Sequence, residues 1–189
     1  MAIEALRELA KGLKTPGKLA AIGGMAAEMI RGRIHAGKGF APLAPATAEY
    51  RGAGRPLQDT GGLRDSITHQ VAGENTVSVG TSKAYAPIQN NGGAIRARRE
   101  WLWIPAARTR TLQRRFGYSP TDVLKGLRSI GYSPFRKGRT VVYRDRRKKY
   151  HVLYYLKKSV EIPARRFFYL SEHDIDLLMK EAGSALEQL

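Results

Sequence analysis

Residues 140–156 read TVVYRDRRKKYHVLYYL and contain the clearest strand patterns of the chain. Thr140 to Tyr143 and Tyr150 to Leu156 are rich in β-branched and aromatic residues, which favour strands. The six residues between them, Arg144 to Lys149, are charged and typical of a hairpin tip. This stretch therefore predicts an antiparallel hairpin with a strongly basic tip.

Further strand patterns lie upstream of this hairpin. Residues 63–71 and 76–81 flank Gly73-Glu74-Asn75, which predicts a second hairpin with a three-residue turn. Trp101 to Ile104 predicts another strand, which Pro105 closes. Residues 37–62 are rich in Gly, Pro and Ala and show no sustained period, so we expect an ordered loop there.

Apolar stripes predict helices at both ends of the chain. Residues 3–13 show one stripe, and Thr15-Pro16 predicts the cap and first turn of a second helix that ends near Ala36-Gly37. Whether these are one kinked helix or two stays open. Gly23-Gly24 either weakens the second stretch or lets another backbone approach closely.

The C-terminal helix has its own start signal. Ser171 with Asp174 three residues later predicts a capped start, followed by a stripe within residues 175–186. A short helix is also expected between two copies of Gly-Tyr-Ser-Pro, at residues 117–120 and 131–134. Helix, loop, antiparallel strands and helix together make an α+β fold: an N-terminal helix or helix pair, an antiparallel sheet with a long basic hairpin arm, and a C-terminal helix.

The chain is strongly basic, and nearly all of the excess lies in one segment. Its 189 residues hold 33 Lys+Arg against 16 Asp+Glu, a net charge of +17. Residues 94–160 hold 19 basic and 3 acidic residues, whereas the flanks 1–93 and 161–189 carry net charges of +4 and −3. This boundary predicts one α+β domain made of residues 1–93 and 161–189, with 94–160 inserted as a basic arm.

The basic arm has three interpretations. As a nucleic-acid surface, its cations would neutralise phosphates while Trp101, Trp103, Phe116 and Tyr118 stack on bases. As an assembly arm, the same cations would meet acidic patches on neighbouring subunits. As a solvated face they would need no partner, although 19 cations is many for a passive surface. The cations expected at a subunit or DNA contact are Arg96, Arg98, Arg99, Arg114, Arg115, Arg139, Arg144, Arg146, Arg147, Lys148 and Lys149.

Nothing in the sequence predicts a catalytic residue, a metal site or a cofactor. The absence of Cys excludes disulfides, Cys-ligated zinc, iron–sulfur clusters and a thiol nucleophile. The histidines, at positions 35, 69, 151 and 173, are scattered without metal-ligand spacing. No phosphate-binding loop or nucleophile-elbow motif occurs. We therefore predict a protein that is not an enzyme.

A membrane is not an expected partner either. No apolar stretch is long enough to span a bilayer. Glu4 and Glu8 lie where a secretory signal would be basic and then apolar. We therefore expect a soluble protein that is intracellular when made.

Short motifs in a fixed order are more specific than composition. They are Pro42-Leu43, Pro45-Ala46-Thr47, Arg55-Pro56-Leu57, Asp59-Thr60-Gly61-Gly62-Leu63, Ser66-Ile67, Val79-Gly80-Thr81, Tyr85-Ala86, Ile88-Gln89, Gly92-Gly93 and Ile162-Pro163-Ala164-Arg165-Arg166-Phe167-Phe168. This order, over residues 40–93 and 161–189, resembles the virion morphogenesis, or tail completion, proteins of Mu-like and related tailed bacteriophages. The positions that carry the resemblance are Asp59, Thr60, Gly61, Leu63, Tyr85, Ala86, Gly92, Gly93, Pro163, Ala164, Arg165 and Phe167.

Three residues depart from the family pattern. Gln89 stands where the family usually has His, so a role that needs an imidazole does not carry over. Asn91 replaces an aromatic residue that often precedes the Gly pair. Arg166 replaces a Pro after Ala-Arg, which adds charge where the family turns the chain stiffly.

The resemblance implies a structural neck protein that joins the phage head to the tail, as a stopper, tail-completion or tail-terminator ring. It implies a closed, six-fold homo-oligomer that contacts other neck, portal-adaptor and tail proteins. Such a protein assembles in the host cytoplasm and ends in the virion, at the neck or the top of the tail. A ring needs heterologous contacts, and the basic arm would either clasp a neighbour or line the passage of packaged DNA. The alternative is a stand-alone nucleic-acid-binding protein that grips the duplex backbone through the basic hairpin in 94–160.

Overall fold

A computed structural model of the protein describes residues 16–52, 54–73 and 76–187, with side chains up to residue 184. The predicted stripe at 3–13, the Thr15 cap and Glu74 and Asn75 of the predicted turn lie outside these residues. The described chain divides into two compact units, each with its own core. Unit 1 contains residues from 16–41, 56–92 and 164–187, and unit 2 contains residues from 42–55 and 93–163.

The secondary structure confirms the predicted α+β class. In chain order the elements are α1 (Pro16–Ala36), α2 (Pro45–Arg51), β1 (Ile67–Val71), β2 (Val77–Thr81), α3 (Ala86–Asn91), β3 (Gly93–Arg96), β4 (Leu102–Pro105), α4 (Thr109–Phe116), α5 (Pro120–Ser129), β5 (Phe135–Lys137), β6 (Thr140–Arg144), β7 (Tyr150–Lys157), β8 (Ser159–Ile162) and α6 (Glu172–Glu187).

Unit 1 is built around one long helix. Helix α1 packs against the antiparallel hairpin of β1 and β2 and against the C-terminal helix α6. The apolar stripe of α1 faces this side, as expected for an amphipathic helix. The core that results contains Ala27, Ile30, Ile34, Leu63, Ile67, Ala86 and Phe167.

Gly23 makes room for side chains of the hairpin. The sequence had left open a weakened helix or the close approach of another backbone, and the nearest atoms belong to side chains. A Cβ atom at this position would lie 2.4 Å from Cγ2 of Val77 and 2.9 Å from Cδ2 of His69. A Cβ atom added at Gly32, in the same helix, would have no neighbouring atom within 4 Å. The two glycines therefore differ in what they do for the fold.

We expect opposite effects from alanine at these two glycines. Gly23→Ala should destabilise unit 1 by roughly 1–3 kcal/mol, because the side chains of Val77 and His69 must move to accept the methyl group. Gly32→Ala should stabilise it by about 0.5–1 kcal/mol, because alanine favours an exposed helix interior. Denaturant unfolding of the two variants measures both values. Equal effects of the same sign would contradict the close approach at Gly23.

The predicted cap of the C-terminal helix is confirmed. Ser171 Oγ accepts a hydrogen bond from the Asp174 N–H at 3.2 Å, and the Asp174 carboxylate accepts one from the Ser171 N–H at 2.8 Å. Arg33 of α1 donates to the same carboxylate at 2.5 Å. Burial acts to raise the pKa of Asp174, but the hydrogen bonds from Ser171 and Arg33 outweigh it and leave the pKa below its usual value. The charged carboxylate thus ties α1 to α6.

Unit 2 contains a four-stranded antiparallel sheet in the order β4-β7-β6-β5 and a separate pair, β3 with β8. The hairpin predicted from residues 140–156 is present as β6 and β7, with a bulge between Val141 and Val142. Pro105 lies in β4, at the edge of the sheet, where a missing N–H is tolerated. The unit's core contains Val123, Leu127, Val141, Tyr143, Leu153, Tyr154 and Leu156.

The helix predicted between the Gly-Tyr-Ser-Pro copies is also present. Ser119 caps α5, since its Oγ accepts a hydrogen bond from the Asp122 N–H at 3.1 Å. Gly117 and Gly131 flank the helix with φ angles of 114° and 86°, which suit glycine. Val123 and Leu127 of this helix are buried in the core of unit 2.

Two local predictions are wrong. The expected loop at 37–62 contains α2, which buries none of its residues and therefore shows no apolar period. The strand expected from Leu63 begins only at Ile67, because residues 61–66 form turns in which the Asp65 N–H donates to the Gly61 C=O at 3.0 Å. In addition, α3, α4, β3, β5 and β8 are not among the predicted elements.

The long basic hairpin arm is not confirmed. Residues 94–160 form helices and a sheet around a buried core, in the unit that also includes residues 42–55. Tyr50 of α2 donates to Gln113 of α4 at 2.6 Å, and Arg110 donates to the Arg51 carbonyl at 2.5 Å. The basic segment is thus a folded unit. The assignment of a ring-forming domain to residues 1–93 and 161–189 stays a prediction.

Candidate functional site

The family-motif residues around Gln89 and Arg165 lie together in unit 1. Arg165 is only 6% exposed; its Nε donates to the Ala41 carbonyl at 2.8 Å and its Nη1 to the Gln89 side-chain oxygen at 3.3 Å. Its backbone N–H donates to the Gln89 carbonyl at 3.0 Å. Burial lowers the pKa of Arg165 from its usual value. Gln89, where the family usually has His, therefore serves here as an acceptor for a buried guanidinium.

The segment that follows Arg165 alternates between buried and exposed residues. Asn90 Oδ1 accepts hydrogen bonds from the backbone N–H groups of Phe167 at 3.0 Å and Phe168 at 2.9 Å. Phe167 is completely buried in the core, whereas Phe168 is 37% exposed. Arg166 is exposed as well. Arg165 and Phe167 therefore hold the fold, and Arg166 and Phe168 face outward.

The Asp-Thr-Gly-Gly-Leu motif forms a turn, as its composition predicts. Gly61 has a φ angle of 79°, and Thr60 Oγ1 accepts from the Gly62 N–H at 3.4 Å. Leu63 is 4% exposed and belongs to the core of unit 1. Asp59 is exposed. The motif thus positions Leu63 in the core.

The remaining motif positions lie around α3 and β3. Ala86 is buried in the core of unit 1, while Tyr85 is 47% exposed. Gly92 ends α3 with a φ angle of 72°, and Gly93 opens β3 opposite Ile162. Pro163 and Ala164, both exposed, follow β8. Most of these positions have an architectural role.

An aromatic patch, which we define as Phe168 and Tyr169 with the groove beside Phe168, is the main apolar surface near the motifs. The two rings are 37% and 48% exposed. The groove has a volume of about 430 Å³ and is lined mainly by apolar atoms, including those of Ala84, Pro87 and Phe167. The Arg33 guanidinium lies 3.8 Å from the centre of the Tyr169 ring and holds it in place. Contiguous exposed apolar surface makes this patch a candidate contact site.

The eleven predicted contact cations are all exposed, but the fold does not gather them into one site. Arg96, Arg98 and Arg99 line an open groove of about 670 Å³ with Trp101 and Trp103. Arg139 lies with Lys157 and Lys158 in a second groove that also includes Trp101. Arg114 and Arg115 occupy the last turn of α4, where cations suit the helix dipole. The remaining five, at positions 144 and 146–149, belong to the end of the β6–β7 hairpin.

The tip of this hairpin, residues 144–149, is ordered by its single carboxylate. Asp145 accepts hydrogen bonds from the Lys149 N–H at 2.9 Å and contacts His151 Nε2 at 2.7 Å. The Lys148 N–H donates to the Asp145 carbonyl at 2.9 Å, and Arg144 Nε donates to the Lys148 carbonyl at 3.0 Å. The hydrogen bond with His151, followed by that from Lys149, lowers the pKa of Asp145. The tip therefore presents its exposed cations from a fixed turn.

The predicted base-stacking residues are largely occupied by contacts within unit 2. Trp101 has Lys158 Nζ 4.2 Å and the Arg136 guanidinium 5.1 Å from its ring centre. Phe116 lies 5.0 Å from the Arg115 guanidinium, and Trp103 meets Tyr154 edge-on at 5.4 Å. Tyr118, at 74% exposure, is the most open of the four.

Three other exposed aromatic residues were missed from the sequence. Phe135, Tyr150 and Tyr155 are 37–47% exposed and lie on one face of the four-stranded sheet. Tyr150 and Val152 are two positions apart in β7, so the alternation of a strand predicts that they share a face of the sheet. The bulge of β6 and β7 breaks the alternation before Tyr155, so the sequence pattern alone does not place Tyr155 with Tyr150.

Within residues 16–52, 54–73 and 76–187, no three His, Asp or Glu side chains cluster closely enough to hold a metal ion. Burial, followed by the charge of Tyr50, raises the pKa of Tyr154 to about 12. None of the helices in this part of the chain is both long and apolar enough to cross a membrane.

One comparison with known proteins gives a match. The model of a family described as the phage virion morphogenesis family matches residues 4–123 of the chain. No curated protein and no solved structure matches it. The match covers the motifs from Pro42 to Gly93 and extends into unit 2, whereas the Pro-Ala-Arg motif lies beyond it.

Proposed function

The chain belongs to the phage virion morphogenesis family, and on this premise we propose that it is a structural, non-enzymatic protein of the phage neck that joins the head to the tail. The observation that carries the proposal is the family match over residues 4–123. The geometry supports it, because the motif residues Arg165, Phe167 and Leu63 are engaged in holding the fold. Such a protein acts through its surfaces.

We further propose that it works as a closed ring of six copies, as the resemblance implies. A ring needs two different surfaces on each copy that meet by rotation. Charge favours contacts through unit 1: the stretches 42–55 and 93–163 hold 21 Lys+Arg against 5 Asp+Glu, whereas the rest of the chain holds 12 against 11. Two copies of unit 2 repel each other, and copies of unit 1 do not. The aromatic patch at Phe168 and Tyr169 is the apolar surface of unit 1 that fits a neighbouring copy.

Replacement of Phe168 tests this ring. The wild-type protein should sediment as a closed oligomer, and Phe168→Ala should sediment as a folded monomer, because the aromatic anchor of the contact is lost. Thr68→Ala, at an exposed position in β1, is the matched control and should leave the oligomer intact. Wild-type protein that stays monomeric at all concentrations, or a Phe168→Ala ring identical to wild type, would contradict the proposed contact.

The second candidate function is a stand-alone nucleic-acid-binding protein. It is favoured by one observation, the concentration of exposed cations in unit 2. The two functions differ in what loss of the protein does to the phage. Loss of a neck protein leaves heads and tails separate. Loss of a stand-alone DNA-binding protein still gives joined particles in the lysate.

A further inference from the structure

The hairpin tip of unit 2 has a property that its neck role does not explain. Arg146, Arg147, Lys148 and Lys149 are all exposed, on consecutive positions of one turn. The carboxylate within the tip, Asp145, is already engaged with the Lys149 N–H and His151. The tip therefore contributes no further carboxylate to balance the four cations.

A second copy of the chain is a poor source of that counter-charge. Each copy has 33 Lys+Arg against 16 Asp+Glu, so every added copy brings a further net charge of +17. The carboxylates of unit 1 are partly engaged as well, as Asp174 is with Arg33 and Ser171. Assembly of copies thus increases the unbalanced positive charge. A polyanion removes it and releases bound counterions in doing so.

The aromatic residues next to the cations favour phosphates over bases as the target. The Tyr150 ring has Lys137 Nζ 4.5 Å and the Arg144 guanidinium 5.5 Å from its centre. Trp101 carries Lys158 and Arg136 in the same way. A ring in cation–π contact with a Lys or Arg of the same chain holds that cation in position. The same contact covers part of the ring, which leaves less of its face for a base to stack on.

We propose that unit 2 binds duplex DNA through its phosphate backbone, without regard to sequence, and that the hairpin tip at residues 144–149 is a principal contact. Duplex DNA carries about one negative charge per 1.7 Å of its axis, so a run of adjacent exposed cations meets several phosphates within a short length of duplex. The ordered turn presents these cations with little loss of backbone freedom on binding. The proposal deepens the second candidate function, DNA binding by unit 2, on which it rests, and it does not depend on the neck position.

Neutralising two tip cations tests the proposal. Binding of the full chain to a labelled duplex of mixed sequence is measured by fluorescence anisotropy at several salt concentrations, for wild type and for Arg146→Gln/Arg147→Gln. Loss of two phosphate contacts should reduce the slope of log affinity against log salt by about 1.8 and weaken binding roughly 60-fold at 0.1 M salt. Arg146→Lys/Arg147→Lys keeps the charge and should bind nearly as wild type.

A charge-matched control comes from unit 1. Lys38→Gln/Lys180→Gln removes the same two charges from exposed positions and should leave the salt slope unchanged. Thermal unfolding within about 1–2 °C of wild type shows that each variant is folded. Equal weakening by both pairs would refute the tip as the contact. Tighter binding of a single strand than of the duplex would refute backbone recognition. A tip variant that loses its oligomeric state and keeps its DNA affinity would show that the tip grips a neighbouring copy instead.

Discussion

Phe167→Ala is expected to lower the free energy of unfolding of unit 1 by about 4 kcal/mol, because it leaves a cavity in a core that holds this ring completely buried. Phe168→Ala, one residue further on, is expected to cost less than about 1 kcal/mol, because that ring is 37% exposed. Denaturant unfolding of both variants measures the difference, at a dilution at which the wild-type protein is monomeric as well, so that loss of subunit contacts does not contribute. The corresponding thermal shift for Phe167→Ala is a decrease of roughly 10 °C.

The Phe pair is a strict test because the two substitutions remove the same atoms from adjacent residues. Both substitutions also preserve the backbone N–H groups that donate hydrogen bonds to Asn90 Oδ1. Any difference in stability therefore reports side-chain burial. Similar losses from Phe167→Ala and Phe168→Ala would contradict the alternation of this segment.

The second large effect is expected at Arg165. Arg165→Ala should destabilise unit 1 by about 3 kcal/mol, because it leaves the Ala41 carbonyl and the Gln89 side-chain oxygen without this charged donor. Arg166→Ala should change stability by less than about 0.5 kcal/mol, because the Arg166 side chain is exposed. Denaturant unfolding of the two single variants provides the comparison.

Lysine at the same position sharpens this second test. Arg165→Lys keeps the charge, but a single ammonium group does not reproduce the Nε and Nη1 donors that reach two separate oxygens. We expect it to lose most of the stability that Arg165→Ala loses. Full stability of Arg165→Lys would show that charge alone is needed there, and would argue against the paired hydrogen bonds.

The sequence was sufficient to predict elements that are specified by a few neighbouring residues, such as strand patterns and helix caps. The hairpin at β6 and β7 has a strand pattern on each side of a charged tip, and Ser171 with Asp174 forms the cap that their spacing indicates. Ser119 caps α5 in the same way. Each of these signals depends on neighbours in the chain, which is why the sequence was sufficient.

Features that depend on distant partners could not be read from the sequence. Helix α2 buries none of its residues, and it belongs to unit 2 through Tyr50 and Gln113, which are 63 positions apart. The burial of Arg165 depends on Ala41, 124 positions away. The resemblance marked Arg165 as a motif position, but only the fold shows that its role is to hold segments of unit 1 together.

The charge gave a partial prediction of the candidate site. The sequence located the excess in residues 94–160, and all eleven predicted cations are exposed. The fold distributes them over two grooves, the end of α4 and the hairpin tip. Composition does not report how helices and an antiparallel sheet separate residues that are close in the chain. The sequence therefore could not show the folded form of this segment, and the extended arm is not confirmed.

Electron microscopy of a phage lysate tests whether the protein joins the head to the tail. Disruption of the gene in the phage that encodes this chain should give DNA-filled heads and complete tails that remain separate. Addition of the purified wild-type protein to that lysate should produce joined, infectious particles. Joined particles in normal numbers without the protein would contradict the account.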